Sequence, residues 1–493
     1  MARSQTAFSV VLAVLAAVLV LPAAAGAATL TLGPVFETTL NPGHVALVAL
    51  ANGEVVAAWP KLVASTGTDA SAIVTSVQSP SGAWSPPVVA VSAPGRTIVD
   101  GPDLTAAGST AVLAWATEPL VRCGGNASTA CGPRPSFKLM AAKLASGGWS
   151  PAEQIYRARG LESPLSLAST STGVAVIEWG YFDAKSELSR LMYSALAGTS
   201  WTPARTLVSD RSGGSSAGAT ESSDDGGRFV QSPDGSQLIV AWQHARDLTA
   251  GPRLLERTLR YRHVLSTGSL GPVAQAHLYG PAPRRTYWSD DGYAVAIDDG
   301  GNITVAYAYD TSAAHVPPVE HWDAALIAAD GRVTHQTLAS TQLNAVGLEA
   351  ADVGRPVIYA SATHVAALWN FGSEGVADAV APVGGGAFGP QAIAFPYCTA
   401  GECGLIPSVA LPDGTVELFN YDNNASGLYV DTLSAQASVW TSSLIAVSGD
   451  AAALQAQAEA AVARPDGSVV LVLLKEGAPT AAFSLQSATV AAS

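Results

Sequence analysis

Basic charge is what this sequence has least of. Its 25 Lys and Arg face 39 Asp and Glu, for a formal net charge of −14, and no Lys/Arg cluster is longer than the pair Arg284-Arg285. A nucleic-acid partner would need a basic stripe to displace counterions, so that class of partner is excluded. Charged residues make up only 13% of the chain while 48% are hydrophobic, so a core can form and disorder is disfavoured. Cysteine is scarce: Cys123 with Cys131 and Cys398 with Cys403 form two close pairs, neither with the spacing of a structural zinc site. The chain has no P-loop, no GxGxxG opening a helix, no HExxH and no GxSxG elbow. No metal and no cofactor is therefore expected. After the N-terminus no apolar run reaches the roughly 20 residues that cross a bilayer.

The N-terminus itself is different. One positive charge at Arg3, an apolar run from Ala7 to Leu21 and the small residues Ala25-Gly26-Ala27 read as a signal peptide over 1–27. The expectation is a secreted, extracellular protein, with retention of this segment as an anchor the alternative. Export makes local disulfides the expected state of both cysteine pairs.

What is present is a repeat. A strand preceded by a Gly-containing turn and ending in an aromatic recurs as NGEVVAAW to Trp59, AAGSTAVLAW to Trp115, STGVAVIEW to Trp179 and PDGSQLIVAW to Trp242. It continues as DGGNITVAY to Tyr307, SATHVAALW to Trp369, PDGTVELFNY to Tyr421 and PDGSVVLVLL to Leu474. A second tight turn leads into Trp84, Trp149, Trp201, Phe388 and Trp440. Period-two alternation bounded by Gly, Asn, Asp and Pro is the hairpin signal. One such sheet cannot bury both of its faces, and radial stacking of copies solves the problem. The expected fold is an all-β propeller of four-stranded antiparallel blades over 28–493, eight in number, with seven the alternative. TLTLGPVFETTL at the start lacks a blade before it and AAFSLQSATV ends the last unit early, so the two termini should pair to close the ring.

The turns sort into two classes. Short PDGS and SGGW turns belong to one face, and long, variable, charged segments belong to the other. Binding concentrates in loops on a rigid scaffold, so the long-loop face is the functional candidate. Of the 11 Trp residues, Trp288 and Trp322 are the two that the repeat does not use. Around them stand Arg284, Arg285, Tyr287, Asp290, Asp291, Asp310, His321 and Asp323, with His244, Arg246 and Asp247 on the preceding unit. Exposed aromatics beside charged groups suit a sugar or peptide, so these are the ligand-binding candidates. A glycosidase would need two carboxylates across the scissile bond. Asp183, Asp224, Asp225, Asp247, Asp290, Asp291, Asp310 and Asp323 are available, but sequence spacing selects no pair. Asp422-Asn423-Asn424 resembles the start of a calcium loop without its later Glu.

The repeated SGGWSP and PDGSxxVAW segments resemble those of bacterial secreted β-propellers, in particular sialidase-like and lectin-type ones. The resemblance spans the mature chain and implies the fold. The Asp-box and Arg-Ile-Pro motifs of sialidases do not occur in it. Three functions remain: a monomeric binding module for an extracellular glycan or protein ligand, a glycan-cleaving enzyme, and a cell-surface scaffold.

Overall fold

A computed structural model describes residues 29–39, 45–65, 68–119, 136–145, 148–183, 188–211, 222–247, 255–278, 293–311, 319–342, 356–370, 376–395, 407–422, 427–447, 456–476 and 483–490. The leader expected at 1–27 and all four cysteines lie outside the described residues.

The chain forms eight antiparallel sheets arranged as a propeller. Blade 1 runs Ala46–Ala49, Val55–Ser65, Thr68–Gln78 and Val88–Ala93. Blade 2 consists of Arg96–Ala107, Thr110–Pro119, Ser136–Ala145 and Glu153–Arg159, and blade 3 of Leu161–Ser169, Ala175–Asp183, Leu188–Ala197 and Arg205–Arg211. Blade 4 uses Ser222–Gln231, Leu238–Asp247, Leu255–His263 and Ala274–His277. Blade 5 uses Tyr293–Ile297, Ile303–Thr311, Val319–Ile327 and Val333–Gln342. Blade 6 starts at Val357–Ala360 and blade 7 at Ser408–Ala410. First strands of successive blades touch one another around most of the ring, so they line the central channel.

Burial explains the sequence pattern. Each second strand is covered on both sides by neighbouring blades, and it accordingly reads as an apolar run rather than an alternation. In blade 2, Ala111 to Ala116 are all buried. The anchors Trp59, Trp115, Trp179, Trp242, Trp369 and Tyr307 are each 3% exposed or less. Tryptophans after the second turn reach back to the preceding blade: Trp149 Nε1 donates to Thr75 Oγ1 at 2.8 Å, and Trp440 Nε1 to Asp378 Oδ2 at 3.0 Å. The tight turns adopt the left-handed conformation that Asp-Gly supplies, as at Gly467 with φ of 82°.

The eighth blade is built from both ends of the chain. Ala456–Ala463, Val469–Glu476 and Phe483–Val490 supply three strands, and Thr29–Thr39 pairs antiparallel with Phe483–Val490 as the fourth. Ala446–Val447 adds a short parallel strand to the outer edge of Thr29–Thr39. The expected closure is thus present, and blades number eight rather than seven. Blades 8 and 1 are also joined by Arg464, 6% exposed, whose Nη2 donates to Gln78 Oε1 at 2.5 Å and to the Ser79 carbonyl at 3.2 Å. Arg464→Ala strands these acceptors, and a urea titration should show a loss of about 2 kcal/mol. Among the described residues no helix is long and apolar enough to cross a membrane.

Candidate functional site

Strand ends at Asp183, Asp247, Thr311 and Val319 lie opposite the tight turns, and the long connections join there. Arg284, Arg285, Tyr287, Trp288, Asp290 and Asp291 fall in one such connection, outside the described residues. Three further candidates are placed by their backbone: Asp310 pairs with Glu320, Arg246 with Ser222 and Glu256, and Asp247 with Leu255. His244 lies in the second strand of blade 4, opposite Asp224, and is 9% exposed.

Trp322 corrects the expectation. It is 2% exposed in the third strand of blade 5, and its ring stacks on Trp369 of blade 6 at 6.2 Å between centroids. It fills the space between blades and offers no surface to a ligand. Its neighbours His321 and Asp323 point to the other side of the strand by the period-two rule. There they meet Tyr309, which pairs with His321 across the strands.

A row of aromatic rings results. Tyr307 and Tyr309 stack at 6.2 Å, and Tyr309 and His321 at 4.8 Å with 18° between planes. Tyr307 is buried and donates to the Leu278 carbonyl at 2.6 Å; Tyr309 and His321 are half-buried, nearer the long-loop end. The Tyr309 hydroxyl donates to Asp323 Oδ2 at 3.1 Å. Burial raises the Asp323 pKa, against the pull of hydrogen bonds from Thr337 and Tyr309 and of the charges of His321 and His335. Burial, with Asp323 beside it, also raises the Tyr309 phenol, so it stays a donor at neutral pH. At the first strand, Arg228 of blade 4 lies 4.6 Å over the Tyr293 ring and donates to the Tyr293 carbonyl at 3.2 Å. The corner therefore combines aromatic surface with a carboxyl and imidazoles. Tyr309 was missed because within the repeat it follows the anchor Tyr307 and reads as the start of a loop.

A second constellation lines the channel. The first strands of blades 2, 3 and 4 are all bulged at one height, between Asp100 and Asp103, Ser163 and Ser166, and Asp225 and Arg228. Each bulge faces the residues that flank an anchor, namely Trp115, Trp179 and Trp242. Bulges redirect side chains and cluster near functional sites. Asp100 and Asp103 are both half-buried. Asp100 takes the Gly101 amide on Oδ1 at 3.0 Å and the Leu165 amide of blade 3 on Oδ2. Burial, reinforced by the Asp100 charge, pushes Asp103 up to about 7.

Beside the blade 3 anchor, against Gly227 of blade 4, is Glu178. The residue before the anchor is Ala58, Ala114, Ala241, Ala306 or Leu368 in five other blades, but blade 3 places a glutamate there, fully buried. Neither carboxyl oxygen has a hydrogen-bond partner of normal geometry among the described residues. Burial raises its pKa well above the ordinary range, the Asp100 charge adds to this, and the Gly227 amide opposes it. Gly227, in the blade 4 bulge, leaves the room: a Cβ there would lie 2.7 Å from the Glu178 Cδ. The one sequence signal for this cluster was Gly and Pro inside strands, in DGPD, ESPLS and DDGGR.

The chain is thus an eight-bladed β-propeller of four-stranded blades. No family model matches it, and no curated protein does. Solved structures with a similar course include the polysaccharide lyase Uly1, at 10% identity, 93% of this chain, 92% of that one and a TM-score of 0.45. Another is the Aleuria aurantia lectin, at 10% identity, 85% and 99% coverage and a TM-score of 0.32. The NanB sialidase of Streptococcus pneumoniae is similar at 11% identity, 92% and 68% coverage and a TM-score of 0.33.

Proposed function

We propose that this protein is exported and acts outside the cell as a monomeric binding propeller for a glycan, held at the long-loop end of blade 5. The observation that carries this reading is the half-buried Tyr309–His321 stack with Asp323 bonded to the Tyr309 hydroxyl. Sugar C–H faces pack on such rings while a carboxyl and an imidazole take the hydroxyls. The segment from Arg284 to Asp291, which carries Trp288 and two arginines, precedes Tyr293–Ile297 of the same blade in the chain.

The test is a glycan array probed with the mature protein, with hits measured by calorimetry. Tyr309→Ala and His321→Ala should each weaken the best ligand by about tenfold, the value of one aromatic contact plus its hydrogen bond. Unchanged affinity in both variants would remove blade 5 from the account. Export has its own check: the secreted protein should begin at Ala28, read by intact mass, and a chain still carrying residues 1–27 would contradict cleavage.

A further inference from the structure

We propose that the long-loop end of blade 2, on the side turned to blade 1, binds the anionic group, carboxylate or sulfate, of an acidic sugar residue through Arg96, Lys138, Arg157 and Arg159. This rests on the reading of the protein as a glycan binder, but not on blade 5. Three observations carry it.

The first is juxtaposition. Arg96 opens the first strand of blade 2, Lys138 lies in the third, and Arg157 and Arg159 lie in the fourth. Thr117, Lys138 and Arg157 are direct partners across three adjacent strands, and Ser136 pairs with Arg159 two residues nearer the loop end. Direct partners share a face of the sheet, and so do residues two apart on one strand. Arg96 joins that face, because its Nε donates to Thr117 Oγ1 at 2.9 Å. The face is the one turned to blade 1, since Ile98 and Trp115, which alternate in register with Arg96 and Thr117, pack with Ala58 and Ile73 of that blade.

The second is uncompensated charge. The chain has 25 Lys and Arg against 39 Asp and Glu, yet four cations meet on this one face. Lys138 stands directly opposite Arg157, and like charges so placed destabilise a sheet. Among the described residues no carboxylate forms an ion pair with Lys138, Arg157 or Arg159. Glu118 follows Thr117 and alternates to the other face, although the Arg96 charge is near enough to oppose the rise that burial gives its pKa. Repulsion without an internal counter-charge is relieved by an anion from outside.

The third is preorganisation. Arg96 Nη2 donates to the Thr117 carbonyl at 2.7 Å and to the Ser136 carbonyl at 3.2 Å, so this side chain fastens both stems of the long connection of blade 2. Its Nη1 has no acceptor among the described residues. Burial and the nearby Arg157 charge lower its pKa. A guanidinium already pinned in place meets a ligand with little further loss of side-chain entropy.

The dimensions select the ligand. Neighbouring strands lie about 4.8 Å apart, so partners on three strands span roughly 10 Å, the scale of one or two sugar residues. A nucleic acid would need a longer stripe. Lys138 is half-buried while Arg157 and Arg159 are exposed, so the outer strand is open to a ligand. Guanidinium and ammonium groups make charge-assisted hydrogen bonds to carboxylate and sulfate oxygens alike. A sugar is favoured over an acidic peptide because the cations stand at the same end of the propeller as the blade 5 ring stack.

The experiment is calorimetry on the mature protein with matched ligands: an oligogalacturonate and its methyl ester, a sulfated galactan oligosaccharide and its desulfated form, and a hexaglutamate peptide. At least one acidic sugar should bind about tenfold or more tightly than its neutral counterpart, and added salt should weaken it. Whichever pair shows the preference identifies the group as carboxylate or sulfate. Lys138→Gln with Arg157→Gln should abolish the preference, whereas Lys138→Arg should keep it. The double variant should melt no lower than wild type, because it removes a like-charge pair; residues needed only for folding would behave in the opposite way. Equal binding of acidic and neutral forms, a preference that survives the double variant, or tighter binding of hexaglutamate than of either acidic sugar would each overturn the proposal. Neutral glycans bound with no acidic preference would leave the glycan reading standing and remove this one. Acidic sugars bound through Lys138 and Arg157, with Tyr309→Ala and His321→Ala without effect, would remove blade 5 and sustain blade 2.

Discussion

A chain beginning at Asn41, without Thr29–Thr39, is expected to lose its cooperative melting transition and to aggregate. The missing strand is the fourth of blade 8, and its removal turns Phe483–Val490 into a bare edge. Unpaired edges of this kind seek other chains. Leu30 is fully buried among Val409, Leu428, Val430 and Leu471, so the seam between blades 7 and 8 opens as well. Blades 8 and 1 still meet through the apolar cluster of Trp59, Val74, Val472 and Leu485 and through Arg464, but neither contact pairs the strand edge that Thr29–Thr39 covers. The milder Leu30→Ala should cost about 3 kcal/mol by the usual price of a large-to-small core change. Circular dichroism melts and light scattering on the two variants give the answer. A truncated chain that melts like the full one would show that the closure does not hold the ring.

Stability should also fall as pH rises from about 4 through 7, the reverse of a protein held by salt bridges. Burial raises Glu178 well above the ordinary carboxylate range, Asp103 and Glu417 to about 7, and Asp378 to about 6. Each group keeps its proton in the folded chain at pH values where the unfolded chain, titrating near 4, has lost it. The native state therefore binds more protons across that window. The stability these groups contribute is complete below the unfolded values and is lost as pH climbs through the folded ones. Glu178→Leu, which gives blade 3 the residue that blade 6 carries at Leu368, should raise stability at pH 8 by about 2 kcal/mol and flatten the pH dependence. Melting temperatures at pH 4.5, 6 and 8 decide it. A wild type most stable at pH 8, or a destabilised Glu178→Leu, would contradict the burial described for Glu178.

The blades were legible in the sequence because a propeller is assembled from local hairpins. Turn chemistry such as Pro465-Asp466-Gly467 and a buried anchor ending the second strand recur in most units, and the orphan strand at Thr29 announced the closure. The site was legible only in part. Subtracting the repeat's tryptophans left Trp322, but blade 5 has Tyr307 as its anchor and uses Trp322 on the third strand to meet Trp369. One residue to either side, His321 and Asp323 point away from that core, while Trp322 itself is buried in it. Tyr309 is found only when the register across blade 5 sets it opposite His321. Asp100 and Asp103 flank one bulge and Glu178 lies opposite another, and bulges interrupt the alternation on which strand reading depends.

The central claim is that blade 5 holds the ligand, and oxidative footprinting of the protein with and without its best array glycan tests it most directly. Bound glycan should protect Tyr309 and His321 from hydroxyl radicals severalfold, while Tyr156, a half-buried ring on blade 2, stays unchanged. Protection elsewhere with Tyr309 and His321 unaltered would contradict it.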